Sequence, residues 1–207
     1  MTNRIQTPYI FLAEELDVIN NQFSSHKDWS KDIFEKIKTN IVEHLRIQQG
    51  NTCCYCKSSL GFDIKQVDIE HIVPKSKYEN FTFESRNLAL SCPPCNTKKS
   101  TKSVLSRHIV NYPTNGINFK IIHAHYDEYS DHIEIFNNII FIPRSTKGSE
   151  TITFCELFRL RVVEQRARLF QKPNPSLINQ IVSELGSDTI AAQEKNAFID
   201  KLKELIR

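Results

Sequence analysis

Residues that loosen a backbone are scarce in this chain: among 207 residues there are 5 glycines and 8 prolines. That excludes long flexible linkers, which are built from Gly/Ser-rich or Pro-rich tracts. No stretch approaches the roughly 18 apolar residues of a membrane span, and the N-terminus carries no apolar core of a secretory signal. Internal repeats and low-complexity tracts are also missing, which excludes repeat architectures. Neither sign of charge dominates: 27 Lys and Arg against 24 Asp and Glu leave +3, with a pI near 8.5. Such a balance is compatible with a nucleic-acid partner without requiring one. The expectation is a soluble, cytoplasmic protein with no membrane contact. Its 40% hydrophobic content can fill one good core, or a small domain with a helical companion.

What is present in an informative pattern is cysteine. Four of the six fall into two C-x-x-C pairs, Cys53 with Cys56 and Cys92 with Cys95. This spacing lets two thiolates of one tight turn reach the same zinc ion at about 2.3 Å, and two such turns complete a tetrahedral site. Four thiolates leave no open coordination position, so the zinc is expected to be structural. Zinc thiolates also fit a reducing compartment better than a disulfide scaffold does. Cys54, inside the first turn, reads as a spare thiol, and Cys155, in a later apolar run, as a small core residue. By itself a double C-x-x-C is more often the mark of a purely structural zinc ribbon than part of an enzyme.

Between the pairs lies Val67-Asp-Ile-Glu-His-Ile-Val-Pro74, an alternating, strand-like run with the carboxylate of Glu70 beside the imidazole of His71. Asn87 follows, and Asn96 stands directly after the last zinc cysteine. An imidazole titrates near neutral pH and suits the work of drawing a proton from water. Oxygen ligands such as Glu70 and Asn96 suit a hard cation that keeps positions for water and phosphate oxygens.

These residues, in this order between the cysteine brackets, resemble the HNH endonuclease family and its ββα-metal fold over roughly residues 51–103. The resemblance implies that His71 is the general base, that Glu70 and Asn96 hold one catalytic Mg²⁺ or Mn²⁺, and that Asn87 braces the loop and orients the His71 ring. It implies DNA cleavage leaving 5′-phosphate and 3′-hydroxyl ends. Glu70 departs from the pattern, because many members carry Asp or His there. The compact build is similar to nuclease subunits of bacterial antiphage systems of the Septu and retron-associated kinds, which implies an ATPase or another sensor subunit as partner. Two further readings stand beside this one: a zinc-dependent nucleic-acid-binding or adaptor module without hydrolysis, and an HNH nuclease acting on RNA.

Basic residues surround the motif: Lys75, Lys77, Arg86, Lys98, Lys99 and Lys102. They are candidates for phosphate contacts without sequence readout, with a solvated face as the plainer explanation. His123 and His125, followed by Asp127, Asp131 and His132, could in principle hold a second metal, but a hydrated strand end is the simpler expectation.

The fold class expected is α+β: a ββα-metal module with structural zinc, flanked by N- and C-terminal helices and a small antiparallel sheet. Residues 1–50 form a helical segment, with one helix over 10–23 and a second from an N-cap at Ser30 to a stop at Gly50. Trp29 stands at a hydrophobic-staple position. Residues 51–111 form the nuclease module, in which 103–111 continues as helix or turn. In 112–207, Ile117–Ile121 reads as a strand and 132–143 as a hairpin turned by Asn137-Asn138. Helices follow over 149–171, from Asn174-Pro175 to Leu185, and from Ser187 or Asp188 onward. The first of these carries Arg159, Arg161, Arg166 and Arg168, and the whole region is a candidate for partner contact or regulation.

Overall fold

The computed structural model describes residues 4–63 and 66–159. Two helices come first, α1 (Ala13–Gln22) and α2 (Glu35–Gln48). The hairpin of β1 (Asp68–His71) and β2 (Leu88–Ser91) leads into α3 (Pro93–Lys99). A short α4 (Tyr129–His132), the hairpin of β3 (Ile133–Phe136) and β4 (Ile140–Pro143), and α5 (Thr146–Cys155) complete the described elements. This is the mixed architecture expected, with two separate two-stranded antiparallel sheets. No described helix is long and apolar enough to cross a membrane.

The apolar stripe of α2 folds as its spacing dictates: Phe34, Ile37, Ile41 and Leu45 are all buried. Gly50 ends this run with φ +57°, a conformation that costs glycine little. Entry into α2 differs from the expected cap at Ser30. Two 3₁₀ turns, His26–Ser30 and Asp32–Phe34, come first. The Asp28 carboxylate accepts from the backbone N–H groups of Ser24 (2.8 Å) and Ser25 (3.1 Å), which starts the earlier turn instead. Trp29 is a packing anchor, but its partners are His71 and Phe83. Glu15 joins α1 to α2, its buried carboxylate accepting from Tyr9 Oη (2.8 Å) and Asn40 Nδ2 (2.8 Å).

In the first hairpin His71 pairs with Leu88, Glu70 with Ala89, and Asp68 with Ser91. Gln49, just past α2, docks on it by donating to Leu90 O (2.9 Å) and accepting from Leu90 N (2.7 Å). Pro93 occupies the first turn of α3, where no N–H is needed.

Beyond α3 the expectations divide. Ser100, with φ +47°, turns the chain away, and 103–111 forms no helix. Ile117–Ile121 is no strand: Asn115 Oδ1 accepts from Ile117 N (3.1 Å) and starts a 3₁₀ turn, leaving one bridge between Leu105 and Phe119. The later hairpin stands as read, with Asn137 (φ +47°) and Asn138 (φ +60°) in the left-handed region. α5 starts at Thr146 rather than 149, because Ser145 Oγ caps it from Gly148 N (3.1 Å), and it ends at Cys155 where Glu156 takes φ +48°. A Cβ on Gly148 would stand 1.9 Å from His132 O, so only glycine lets α5 seat there. Arg161, Arg166, Arg168 and the helices read after 171 lie outside the described residues. The described parts share one buried cluster, from Ile5 to Leu157.

Candidate active site

The two cysteine pairs converge. Their Sγ atoms all lie within 4.8 Å of one another, and Cys56 and Cys92 are 3.8 Å apart. That is the edge of a tetrahedron about 3.8 Å on a side, whose centre is about 2.3 Å from each sulfur. The donor set fits zinc and no hard cation. The first knuckle closes through Lys57 N to Cys53 O (3.0 Å) with Lys57 at φ +54°, and Cys54 N docks it on β2 by donating to Leu90 O (2.9 Å). The second knuckle is the first turn of α3 itself. Arg159 donates to Pro94 O (2.8 Å) and lies 3.6 Å from Cys95 Sγ, so its charge offsets thiolate charge. Burial pushes the Cys54 and Cys155 thiols up, which keeps these two protonated.

The four-cysteine cluster fixes α3 against β1, and side chains meet there in two rungs. Residues i and i+2 of a strand share a face, so Asp68 and Glu70 both look toward α3, whose Asn96 and Lys99 sit nearly one turn apart. Asn96 Nδ2 donates to Asp68 Oδ2 at 2.9 Å. Lys99 Nζ bonds Glu70 Oε1 and the carbonyl of His71. Tyr55 Oη adds a bond to Glu70 Oε1 at 3.1 Å. Glu70 is 1% exposed and its second oxygen, Oε2, is buried without a partner. Burial raises the Glu70 carboxyl, opposed by Lys99 and Tyr55. An orphaned, buried carboxylate oxygen on the strand face that meets α3, the helix carrying Asn96, is a donor of the kind a hard cation such as Mg²⁺ or Mn²⁺ takes.

His71 leaves the strand on the opposite face. Its Nε2–H donates to Thr82 O at 3.1 Å, and the edge of Trp29 packs on the ring at 4.6 Å between centroids. A carbonyl can only accept, so Nδ1 is the nitrogen left to take a proton. Burial depresses the imidazole well below its usual range, with the charges of Lys75 and Lys99 acting in the same direction. The ring is therefore neutral at neutral pH.

Asn87 is fully buried and spans the loop that follows His71. It accepts from Val73 N (2.7 Å) and donates to Val73 O (3.0 Å) and Phe81 O (2.9 Å). Its backbone carbonyl takes the Ile72 N–H (2.9 Å), and Tyr112 Oη donates to Oδ1 (3.1 Å). Thr82, the acceptor for His71, directly follows Phe81, so Asn87 and His71 hold neighbouring points of one loop.

The basic residues sort unevenly. Lys77 and Arg86 are exposed, and Lys75 is half-buried with Nζ 6.0 Å from the Trp29 ring centroid. Lys98 pairs with Glu156 at 2.7 Å, and Lys102 donates to Phe154 O at 2.8 Å, so both tie α3 to the end of α5. Lys99 corrects an expectation: it is 1% exposed and its charge is spent on Glu70, which leaves none for a phosphate at the surface. His123 and His125 correct another. Both are buried rather than hydrated, with His123 Nε2 2.8 Å from Tyr112 Oη and His125 Nε2 donating to Leu88 O (2.9 Å). Among the described residues, metal-holding geometry is found at the four cysteines and not at these histidines. Asp68, Tyr55 and Thr82 went unnoticed in the sequence. Strand periodicity would have placed Asp68 beside Glu70, whereas Thr82 offers only a backbone carbonyl, which no sequence pattern marks.

A ββα unit fastened by a four-cysteine site, with Glu-His closing β1 and Asn opening α3, is the build of a metal-dependent nuclease module. Residues 53–102 match the HNH endonuclease family and form an HNH domain. The chain is 34% identical over 111 residues to the Septu protein PtuB of Bacillus thuringiensis, a match spanning 54% of this chain and 38% of that protein. It is 31% identical over 86 residues to the "Retron Vc95 putative HNH endonuclease" of Vibrio cholerae serotype O1 biovar El Tor, spanning 40% of this chain and 41% of that protein. The matched part is thus about two fifths of each relative's length. No solved structure matches the chain.

Proposed function

We propose that this chain is an HNH endonuclease that hydrolyses DNA phosphodiester bonds, with His71 as general base and Glu70 and Asn96 as ligands of a catalytic Mg²⁺ or Mn²⁺. The observation that carries the reading is the division of labour at the end of β1. His71 is held neutral with Nδ1 available, and the adjacent Glu70 offers a buried oxygen with no partner on the other face. A phosphodiester lying across the strand end would meet the base from one side and the ligand pair from the other.

In this mechanism Nδ1 takes a proton from water as the oxygen attacks phosphorus, the bond to the 3′ oxygen breaks, and that oxygen takes a proton from solvent water, giving 5′-phosphate and 3′-hydroxyl ends. A cation held by Glu70 and Asn96 would supply positive charge to the phosphate and the departing oxygen. Asn87 keeps the loop that carries the Thr82 acceptor in place. Lys75, whose charge acts on His71, and the exposed Lys77 and Arg86 are candidates for phosphate contacts, and Lys98 and Lys102 would contribute from the α3 side despite their partners at the end of α5. The likeness to Septu and retron proteins supports a role in antiphage defence, and this reading adds an ATPase or other sensor as partner and residues beyond about 112 as the region of contact.

The test is cleavage of supercoiled plasmid and of RNA of matching sequence in Mg²⁺, Mn²⁺ or chelator. DNA cut with either metal, silence in chelator and intact RNA are expected. Cleavage of RNA alone would move the substrate class. Binding of nucleic acid without any cleavage would favour the adaptor reading.

A further inference from the structure

The geometry points to Asp68 as a positioning residue that decides which end of the Asn96 amide faces the catalytic cation. This rests on the reading that Glu70 and Asn96 hold that cation. An asparagine amide presents two different ends, an oxygen that a hard cation accepts and an NH₂ that it repels. The two differ by a half-turn about one side-chain bond, and nothing in the residue itself selects between them. A carboxylate selects, because when ionised it only accepts hydrogen bonds. Asp68 Oδ2 holds Asn96 Nδ2 at 2.9 Å. The amide oxygen, which lies in the same plane as the nitrogen, is thereby turned away from Asp68.

The placement of Asp68 follows from two periodicities meeting. Asp68 and Glu70 are i and i+2 on β1, and Asn96 and Lys99 are i and i+3 on α3. Each strand carboxylate therefore has one helix partner: Asp68 takes Asn96, and Glu70 takes Lys99. Lys99 occupies one Glu70 oxygen and leaves Oε2 without a partner. The rungs act alike, each consuming the atoms that a cation does not need. Outer-shell partners of this kind are worth about 10–100-fold in metal affinity.

The experiment measures Mn²⁺ binding to the full zinc-loaded chain by electron paramagnetic resonance, for wild type, Asp68→Ala, Asp68→Asn, Asn96→Ala and Glu70→Ala. Zinc content and melting temperature are followed in each. Asp68→Ala is expected to weaken Mn²⁺ about 10–100-fold, with zinc retained and cleavage recovering as Mn²⁺ is raised. Asp68→Asn keeps an oxygen for Asn96 Nδ2 but can equally present its own NH₂ to the Asn96 oxygen, so it is expected to recover only part of the affinity lost in Asp68→Ala. Equal losses in Asp68→Asn and Asp68→Ala would overturn the assignment and make Asp68 a ligand in its own right. Unchanged affinity in Asp68→Ala would overturn it too, leaving a purely structural contact. If Asn96→Ala and Glu70→Ala both bind Mn²⁺ normally, the underlying ligand reading falls, and the role of Asp68 falls with it.

Discussion

His71, the proposed base, shows how much of a side chain's chemistry is set by its surroundings. Thr82 O chooses the tautomer, Trp29 covers the ring, and burial holds the imidazole below its ordinary pKa of about 6.5. A base must be unprotonated to act, so a depressed pKa keeps the wild-type rate flat as pH falls through 6.5, and the acid limb appears only lower. Trp29→Ala admits water to the ring and lets the pKa rise toward about 6.5. Its acid limb is therefore expected at higher pH, with the rate at pH 6 falling relative to pH 8. Superimposable profiles of rate against pH for the two proteins would remove Trp29 from the account. Lys99 carries the same lesson in reverse. Its sequence position beside Lys98 suggests a solvent-facing charge, yet its ammonium is buried on Glu70, where losing one partner of the pair leaves an uncompensated charge.

Among the elements, α3 depends most on its surroundings. Seven residues are too few for a helix to hold alone. Its start carries Cys92 and Cys95 of the four-cysteine cluster that fits zinc, and Lys98, Lys102 and Arg159 tie it to the end of α5 and the segment beyond. In such sites metal-binding energy is folding energy, about 10–16 kcal/mol in zinc-finger peptides. Stripping zinc with a strong chelator, or Cys95→Ser, is thus expected to lower the urea midpoint sharply and to abolish cleavage even in excess Mg²⁺. Full stability with no bound zinc by elemental analysis would contradict this. The elements were legible where local chemistry decides them. Cysteine spacing marked both knuckles, the apolar stripe marked α2, and two asparagines tolerant of positive φ marked the β3–β4 turn. Ile117–Ile121 misled because its alternation is real, with Phe119 and Ile121 buried, while an Asn115 side-chain bond curls the backbone into a 3₁₀ turn. His123 and His125 misled because burial of a polar ring depends on partners distant in sequence, Leu88 being 37 residues from His125. In the site, the residues could be named from the motif but not their pairings: Asp68 with Asn96 and Glu70 with Lys99 exist only once α3 lies on β1.

On the scale of the whole molecule, the net charge of +3 is too small to bind nucleic acid by itself. Affinity for a nucleic acid would have to come from local placement, and of the motif's basic residues Lys77 and Arg86 are exposed, Arg86 with the Tyr126 hydroxyl beside it. The HNH segment shares one buried cluster with the flanking residues, Ile5 N–H donating to Ala124 O at 2.8 Å and His125 to Leu88 O. The regions around the motif therefore set the geometry of the site as well as offering surface to a partner. The central claim is that a neutral His71 draws the proton from the attacking water while other residues bind the substrate. Single-turnover cleavage and binding of one labelled DNA duplex in Mg²⁺, by wild type and by His71→Ala, tests it most directly. The account predicts a rate loss of about 10²–10⁴-fold with the dissociation constant essentially unchanged. A variant that cuts at the wild-type rate, or one that loses binding and cleavage in equal proportion, would contradict it.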